Sequence, residues 1–437
     1  MPDLLTLLLD LHDLPAGQLP DPARDAARSS LYDWLICGRA GINEPVADKL
    51  RRFIAAEGGQ GVASVLGAVL GAGTAPARQA ALVNGATSHA IDFDDTHFAH
   101  VGHLSVGIYP AALAVGEETG ASADDVVDAF LLGSEAAIRV GMALGSAHYN
   151  RGFHQTATAG AFGATLAAGR LIGLTRDQMR AAIGLCSTRA SGLKSQFGTM
   201  GKPYNAGIAA ANGVESARLA ELGMSSCADG LAGPEGFLQT HTDDPGRDLP
   251  PVGRWLLPEI SYKFHACCHG THAMIEALRA VGPVDPGDVA AIELRTNPRW
   301  LSVCNIADPG TGLEVKFSYA WLAAMVLSGR DTSAFDSYSD AVAADPALAA
   351  IAGRMTVTGD AGLTDMQAEG VLRLASGDRI SFAHDISAPI ATDMLRDRLA
   401  GKSHALLGPD GGPPATLLDD LAKMTAADLG RVLRGGA

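Results

Sequence analysis

Charge is scarce in this chain. Asp, Glu, Lys and Arg supply only 19% of its 437 residues, against 47% hydrophobic residues. The charge present is mostly negative, with 48 acidic and 33 basic side chains and a net charge of −15. No run of Lys and Arg is long enough to track phosphates, which argues against a nucleic-acid partner. The six cysteines are scattered and contain no C-x-x-C, so zinc-ribbon, thioredoxin-like and cysteine-ligated iron–sulfur readings lack support. Sparse, unpatterned cysteines suggest a reducing, cytoplasmic setting. The start, Met1-Pro2-Asp3, lacks the basic region of a signal peptide. No membrane span is expected, because the longest charge-free stretch of that kind, Phe98 to Gly116, carries His100, His103 and Pro110 and meets Glu117-Glu118 at once. There is no G-x-S-x-G elbow, and no G-x-G-x-x-G follows a strand, so nucleophilic hydrolysis and dinucleotide binding are unsupported.

The most informative stretch present is Asp92-Phe93-Asp94-Asp95-Thr96-His97-Phe98-Ala99-His100-Val101-Gly102-His103. It concentrates three carboxylates, a hydroxyl and three imidazoles between two apolar segments, Ala80 to Ala90 and Ile108 to Val115. Packing gives no reason for such density, whereas proton-transfer chemistry requires it. The plain alternative is a solvated loop in which an aspartate caps the next helix.

The first two-thirds reads as successive helices. Ala23 to Arg39 places Ala27, Leu31, Trp34 and Leu35 on one face. Asp124 to Leu144 reads as a helix opened by Ser122 to Asp125 and carrying Glu135 and Arg139 four residues apart, and Thr175 to Gln178 is a capping box. Ala206 to Leu222 is a small-residue helix, and abundant Ala and Gly predict helices packed backbone to backbone. Character changes near residue 284. Strands are expected over Val289–Arg295, Met355–Asp360, Gly370–Ser376 and Arg379–His384, with helices over Lys316–Leu327 and Asp345–Ile351 between them. Helices return at Leu395–Leu399 and Leu417–Leu433, around a Gly/Pro linker. The expected fold is mainly α with an α+β part: an all-helical domain from residues 1–265 and 392–437, and a smaller α+β lid from 266–391.

Four further clusters bear on chemistry. Arg151 to Thr156 precedes a Gly/Ala-rich helix, so His154 and Gln155 stand where the helix dipole draws an anion; simple exposure is the alternative. Gly198 to Pro203 surrounds Lys202 with glycines and a proline, which lets a backbone approach a carboxylate bound by the lysine; a turn lysine is the alternative. It is not a P-loop, since Pro203 takes the Ser/Thr place. Tyr262 to His272 contains Lys263, His265, Cys267, His269 and His272. No carboxylate is placed to complete a zinc site there, and a lysine beside imidazoles suits carboxylate binding better. Tyr319 begins a helix and is either a core aromatic or a hydroxyl that meets substrate.

Five segments together resemble the MmgE/PrpD family: ATSHAIDFDDTH (86–97), HLSVGIYPAALAVGE (103–117), GFHQTATAGAFGATLAAG (152–169), GTMGKPYNAGIAAANG (198–213) and YKFHACCHGTHAMIEAL (262–278). The family includes 2-methylcitrate dehydratase, cis-aconitate decarboxylase and an iminodisuccinate epimerase. The resemblance implies a large helical domain with an α+β lid, usually as a homodimer. It also implies that Asp92, Thr96, His103, His154, Lys202 and Lys263 occupy the family's active-site positions, with Tyr319 at a tyrosine position. His103-Leu104-Ser105 departs from the family's frequent His-Pro-Ser, and the stretch from Thr96 to His103 is one residue longer than in the decarboxylases. The dehydratase branch's N-D-T-W is missing, which tells against 2-methylcitrate dehydration, and the His97 to His103 and GFHQTATAG stretches look more like the epimerase branch.

The implied reactions share one hard step, moving a proton at a carbon next to a carboxylate, where the developing enolate needs cations and donors in place. Lys202 and Lys263 are the expected carboxylate holders. His103 and His154 are the acid–base pair, Asp92 orients an imidazole or lysine, and Thr96 donates a hydrogen bond. His97, Gln155, Tyr319 and His272 are further expected substrate contacts. The expected activity is a cofactor-free, metal-free lyase of a small di- or tricarboxylate, either a dehydratase or a decarboxylase. The alternatives are an epimerase using the same site, a metal-dependent hydrolase using Asp94 and Asp95, and a non-catalytic carboxylate binder. The site is expected between the two domains.

Overall fold

The computed structural model describes residues 3–67, 73–246 and 248–436. The chain is 58% helical and 10% strand, so it is mainly α with an α+β part. Contacts divide it into one unit of residues up to Tyr262 with those from Leu407 onward, and a second unit, Lys263–Leu406. The second unit thus starts three residues before the expected lid and ends at 406 rather than 391.

The described residues of the first unit are mainly helical, with a two-residue antiparallel pairing of Ala63–Ser64 with Thr74–Ala75. At its centre lie the helices Ala77–Ser88, Ser105–Thr119, Gln155–Ile172 and Gly201–Glu221, and Ala123–Arg151 packs against them. Every residue from Ser105 to Gly116 and from Gln155 to Gly169 is buried, so these two helices have no solvent face. Small residues make this possible. A Cβ on Gly163 would lie 2.6 Å from the Gly133 carbonyl oxygen and 2.8 Å from Ile108 Cδ1, and one on Gly213 would lie 2.4 Å from Ala164 Cβ. The capping boxes form as expected, Ser122 with Asp125 and Thr175 with Gln178.

Two expectations need correcting. The helix expected to end at Leu144 continues to Arg151 across a break at Gly145, whose φ of 64° only glycine adopts readily. Leu417–Leu433 is not one run but the short pieces Leu417–Asp420, Leu421–Lys423 and Ala426–Leu433, the last restarted by a Thr425–Asp428 capping box. The pair Glu135 and Arg139, four residues apart on this helix, is fully buried. Glu135 Oε1 accepts the Leu256 and Leu257 N–H groups, both at 2.7 Å, and Arg139 donates to the carbonyls of Pro250, Pro251 and Arg254. The pair therefore holds the 250–257 segment, and each charge has several partners to offset its desolvation.

The second unit carries a four-stranded sheet in the order Met355–Gly359, Val289–Thr296, Gln367–Leu374, Arg379–Asp385. The first pair is parallel and the other two are antiparallel. The helix His272–Val281 packs on the last two strands. No helix among the described residues is long and apolar enough to cross a membrane.

Gly213→Val forces a branched side chain onto Ala164, and overpacking of this kind costs about 2 kcal/mol or more. Gly401→Ala, a helix position with nothing within 4 Å of its Cβ, should be neutral or stabilising by up to about 1 kcal/mol. Urea unfolding of the two variants checks the contrast; equal midpoints would refute close helix packing as the constraint.

Candidate active site

The informative stretch is a connection between two buried helices. Ala77–Ser88 ends at His89, which serves as its C-cap, and Ser105–Thr119 begins just after His103. Between them the chain turns sharply: Asp92 has a φ of 52° and Val101 one of 56°, both left-handed. Thr96 pairs with Ser261, and His97 pairs with Gly102. The capping role exists, but it belongs to Asp95 alone. Its carboxylate accepts the Leu104 and Ser105 N–H groups at 3.3 and 3.2 Å and the Ser105 hydroxyl. Burial pushes Asp95 up in pKa, against these hydrogen bonds.

Asp94, its neighbour, does something different. Its side chain is fully buried and sits between two imidazoles. Oδ1 lies 2.9 Å from His89 Nδ1 and Oδ2 lies 2.8 Å from His103 Nδ1, with the two rings 4.6 Å apart. Burial alone would raise the Asp94 carboxyl, but His103 and His89 outweigh it and hold the group well below the usual carboxylate range. A carboxylate only accepts, so His89 Nδ1 carries its proton and that ring presents Nε2 away from Asp94. His89 Nε2 is buried without a partner among the described residues. His103 Nε2 lies 3.6 Å from Asp92 Oδ1.

Asp92 completes a chain of charge. Its Oδ2 is 2.6 Å from Lys202 Nζ, and its side chain is 46% exposed while that of Lys202 is 17% exposed, so the carboxylate forms the outer rim. Lys202 is in the first turn of the helix Gly201–Glu221 rather than in a glycine loop. A cation there works against the helix dipole, so stability does not explain it; dipole and ammonium together favour an anion.

His154 caps the N-terminus of Gln155–Ile172, and its ring lies 6.0 Å from that of His89. Asn205 Nδ2 lies 3.2 Å from the Leu193 carbonyl, which can only accept, so Nδ2 is the donor there and also at His154 Nδ1, 3.1 Å away. His154 therefore carries its proton on Nε2. Burial, with neighbouring His89 and the Lys202 ammonium adding to it, holds its pKa well below the ordinary histidine value, so the ring is a neutral donor. The Thr96 hydroxyl has no partner among the described residues.

Asp92, His103, His154 and Lys202 thus converge within the first unit. His97 must be withdrawn as a substrate contact: Nε2 is 2.9 Å from the Leu256 carbonyl and Nδ1 accepts the His100 N–H, so the main chain occupies both nitrogens. Gln155 is fully buried and donates to Gly141 O at 3.0 Å; only its Oε1 is unpartnered. Lys263, His272 and Tyr319 belong to the second unit. Tyr319 is corrected to a core residue, because its hydroxyl donates to Gly270 O at 2.8 Å and meets Thr296 Oγ1 at 3.1 Å. His272 is corrected likewise: it is buried, its Nε2 faces the Cys267 carbonyl at 3.4 Å, and its ring packs edge-on to His265. Lys263 is buried. A zinc reading of this segment loses His265, whose nitrogens face Glu276 and Thr332 at 2.8 and 2.7 Å.

Sequence reasoning missed His89, the bridging role of Asp94, and Asn205. Asn205 was findable, since it lies one helical turn after Lys202. Nothing in the sequence singles out which of three nearby aspartates lies between the two histidines. His89, Asp92, Asp94 and His103 can each offer one metal-ligand atom within 4.8 Å of the others. The Lys202 ammonium already places a positive charge on Asp92, however, and Asp94 is engaged by two imidazoles. This donor set suits proton movement better than a divalent cation.

Comparison with known proteins agrees with the architecture. Residues 11–249 match the MmgE/PrpD N-terminal domain and residues 265–407 the MmgE/PrpD C-terminal domain. The chain belongs to the MmgE/PrpD family. It is similar to the cis-aconitate decarboxylase-like protein oryM of Aspergillus oryzae, with 30% identity over 318 residues, 68% of this chain and 64% of that protein. Cis-aconitate decarboxylase of Aspergillus terreus is 32% identical over 283 residues, covering 61% of this chain and 57% of the fungal enzyme. The human cis-aconitate decarboxylase is 29% identical over 215 residues, or 47% and 44% of the two chains. The match spans less than two thirds of each relative's length.

The buried neutral histidines have a measurable consequence. Burial lowers His97 to about 4 and His100 to about 3. Between pH 6.5 and those values the unfolded chain binds protons that the native state refuses, so stability is complete above pH 6.5 and declines as pH falls. Each histidine should add a slope of about 1 kcal/mol per pH unit. Urea midpoints at pH 6.5, 5.5 and 4.5 should fall accordingly, and His97→Gln should flatten the decline by roughly one proton's share. An unchanged slope in that variant would contradict the neutral, structural role of His97.

Proposed function

We propose that this protein is a cofactor-free lyase that moves a proton at a carbon next to a carboxylate in a small tricarboxylate of the cis-aconitate type, with loss of CO2. The observation that carries this reading is the Asp94 carboxylate shared by His89 and His103, with His103 Nε2 directed to the Asp92–Lys202 rim. The names of the related decarboxylases point to the same substrate class.

In a β,γ-unsaturated carboxylate the C–C bond to the departing CO2 breaks. Its electron pair forms a new C=C, and the displaced π pair takes a proton at the carbon next to a retained carboxylate. His103 delivers that proton from Nε2 as an imidazolium, whose positive charge the Asp94 carboxylate stabilises from 2.8 Å away at Nδ1. Lys202 holds a retained carboxylate as a point charge, partly releasing Asp92. The His154 Nε2–H and the Thr96 hydroxyl donate to carboxylate oxygens, so charge developing there meets donors already in place. Water-mediated dehydration would use the same acid. A two-base epimerisation fits less well, because Asn205 holds His154 as a donor with no Nε2 lone pair to abstract a proton. A cytoplasmic homodimer is part of this proposal; light scattering tests the dimer.

The test is proton NMR in deuterium oxide with cis-aconitate, trans-aconitate, 2-methylcitrate and iminodisuccinate. Conversion with deuterium entering the product of cis-aconitate is expected, and no conversion or label uptake from any of the four overturns the proposal. Lys202→Ala should lower kcat/KM by about 10² to 10⁴ with a near-wild-type urea midpoint, and His103→Gln should lower kcat/KM as much while also lowering the midpoint, because it removes a partner of buried Asp94. Asn205→Asp places an acceptor against His154 Nδ1 and moves the proton there. It should lower kcat at least tenfold, leave KM nearly unchanged and shift the pH profile; an unaltered profile would remove His154 from the donor role.

A further inference from the structure

The second unit holds a pair of sulfurs that the proposed reaction does not use. Cys304 Sγ and Cys268 Sγ lie 3.1 Å apart although the residues are 36 positions apart in sequence. No disulfide joins them. We infer that Cys268 and Cys304 are a thiol-oxidation site, converted reversibly into a disulfide by hydroperoxides.

The geometry carries this reading. The sulfurs need to close by only about 1 Å to reach the ~2.05 Å of a disulfide bond. Both main chains are fixed around that approach. The Cys268 N–H donates to Lys316 O at 3.0 Å, and the Cys268 carbonyl accepts the Thr271 N–H at 3.0 Å. The Cys304 N–H donates to Trp300 O at 2.8 Å, and its carbonyl accepts the Tyr319 N–H at 3.0 Å. Little chain entropy remains to be lost when the bond forms.

The two sulfurs are also unequal, as an attacking and a resolving thiol must be. Cys268 is half-buried and Cys304 is buried, so an oxidant reaches Cys268 first. The contact with Cys268, with burial adding to it, pushes the Cys304 thiol up, and Arg299 opposes that rise. The adjacent Cys267 is a poorer partner: it is buried, its Sγ lies 3.2 Å from Thr271 Oγ1, and burial pushes it up to about 12.

The chemistry balances in two steps. Cys268 sulfur attacks a hydroperoxide oxygen, the O–O bond breaks, and an alcohol leaves with a proton, giving a sulfenic acid. Cys304 sulfur then attacks Cys268 sulfur, the S–S bond forms, the S–O bond breaks, and water leaves. Two thiols lose two electrons and the hydroperoxide gains them. A dithiol reverses the change by exchange.

The test uses the full chain treated with tert-butyl hydroperoxide, then alkylated under denaturing conditions and mapped by peptide mass spectrometry. A cross-linked pair joining the Cys268 and Cys304 peptides is expected in most molecules, lighter by about 2 Da than the two thiol peptides and abolished by dithiothreitol. Cys304→Ser should lose the cross-link and leave Cys268 as a sulfenic or sulfinic acid, about 16 or 32 Da heavier. The inference is overturned if both thiols remain open to alkylation after oxidant, or if Cys268 links to Cys267 instead. The wild-type map decides the matter even if the variant does not fold. It is also independent of turnover, so failure of the lyase proposal would leave it standing.

Discussion

One buried carboxylate, Asp94, sets the terms for the rest of the site. A lone charge at that depth would cost several kcal/mol in lost solvation. Two imidazole Nδ1 groups, at 2.9 and 2.8 Å, keep it ionised and are themselves oriented by it. His89 closes one helix and His103 precedes the next, so this contact also ties together the ends of two central helices. Because the carboxylate can only accept, it fixes the His89 proton on Nδ1, and both rings turn Nε2 away from it. Asn205 makes the opposite assignment for His154, leaving it a proton donor. Complementary acid–base roles thus arise from two different partners.

The scaffold around this contact is built for close approach. Glycines on Ala123–Arg151 and Gln155–Ile172 face each other with no room for a Cβ. The walls are then pinned by polar groups that have no part in chemistry. Glu135 and Arg139 fasten the 250–257 segment, and His97 adds a bond to Leu256. Such a rigid surround keeps donors at fixed distances, which electrostatic stabilisation of a developing charge demands.

Much of this was legible in the sequence. Capping boxes at Ser122 and Thr175, the period-two strands after residue 284 and the dense titratable stretch all have local causes, and local causes can be read from order alone. The convergence of Asp92, His103, His154 and Lys202 was expected from the resemblance and matches their placement in the first unit. Misassignments arose where tertiary partners decide the matter. His97 looked equivalent to His103, but its nitrogens meet main-chain groups, one of them at Leu256. Tyr319 looked available until Gly270 and Thr296 took its hydroxyl. Asp94 and Asp95 are neighbours with opposite tasks, and no pattern of spacing distinguishes them.

The glycine crossings have a consequence for how this chain can drift over generations. A methyl gained at position 163 meets the Gly133 carbonyl oxygen at 2.6 Å, and one gained at 213 meets main-chain atoms of Ala164 and Thr165 at 2.6 and 2.7 Å. Trimming a neighbouring side chain cannot relieve contacts with main chain. Descendants are therefore expected to keep glycine itself at both crossings, since any alternative requires the helices to move apart.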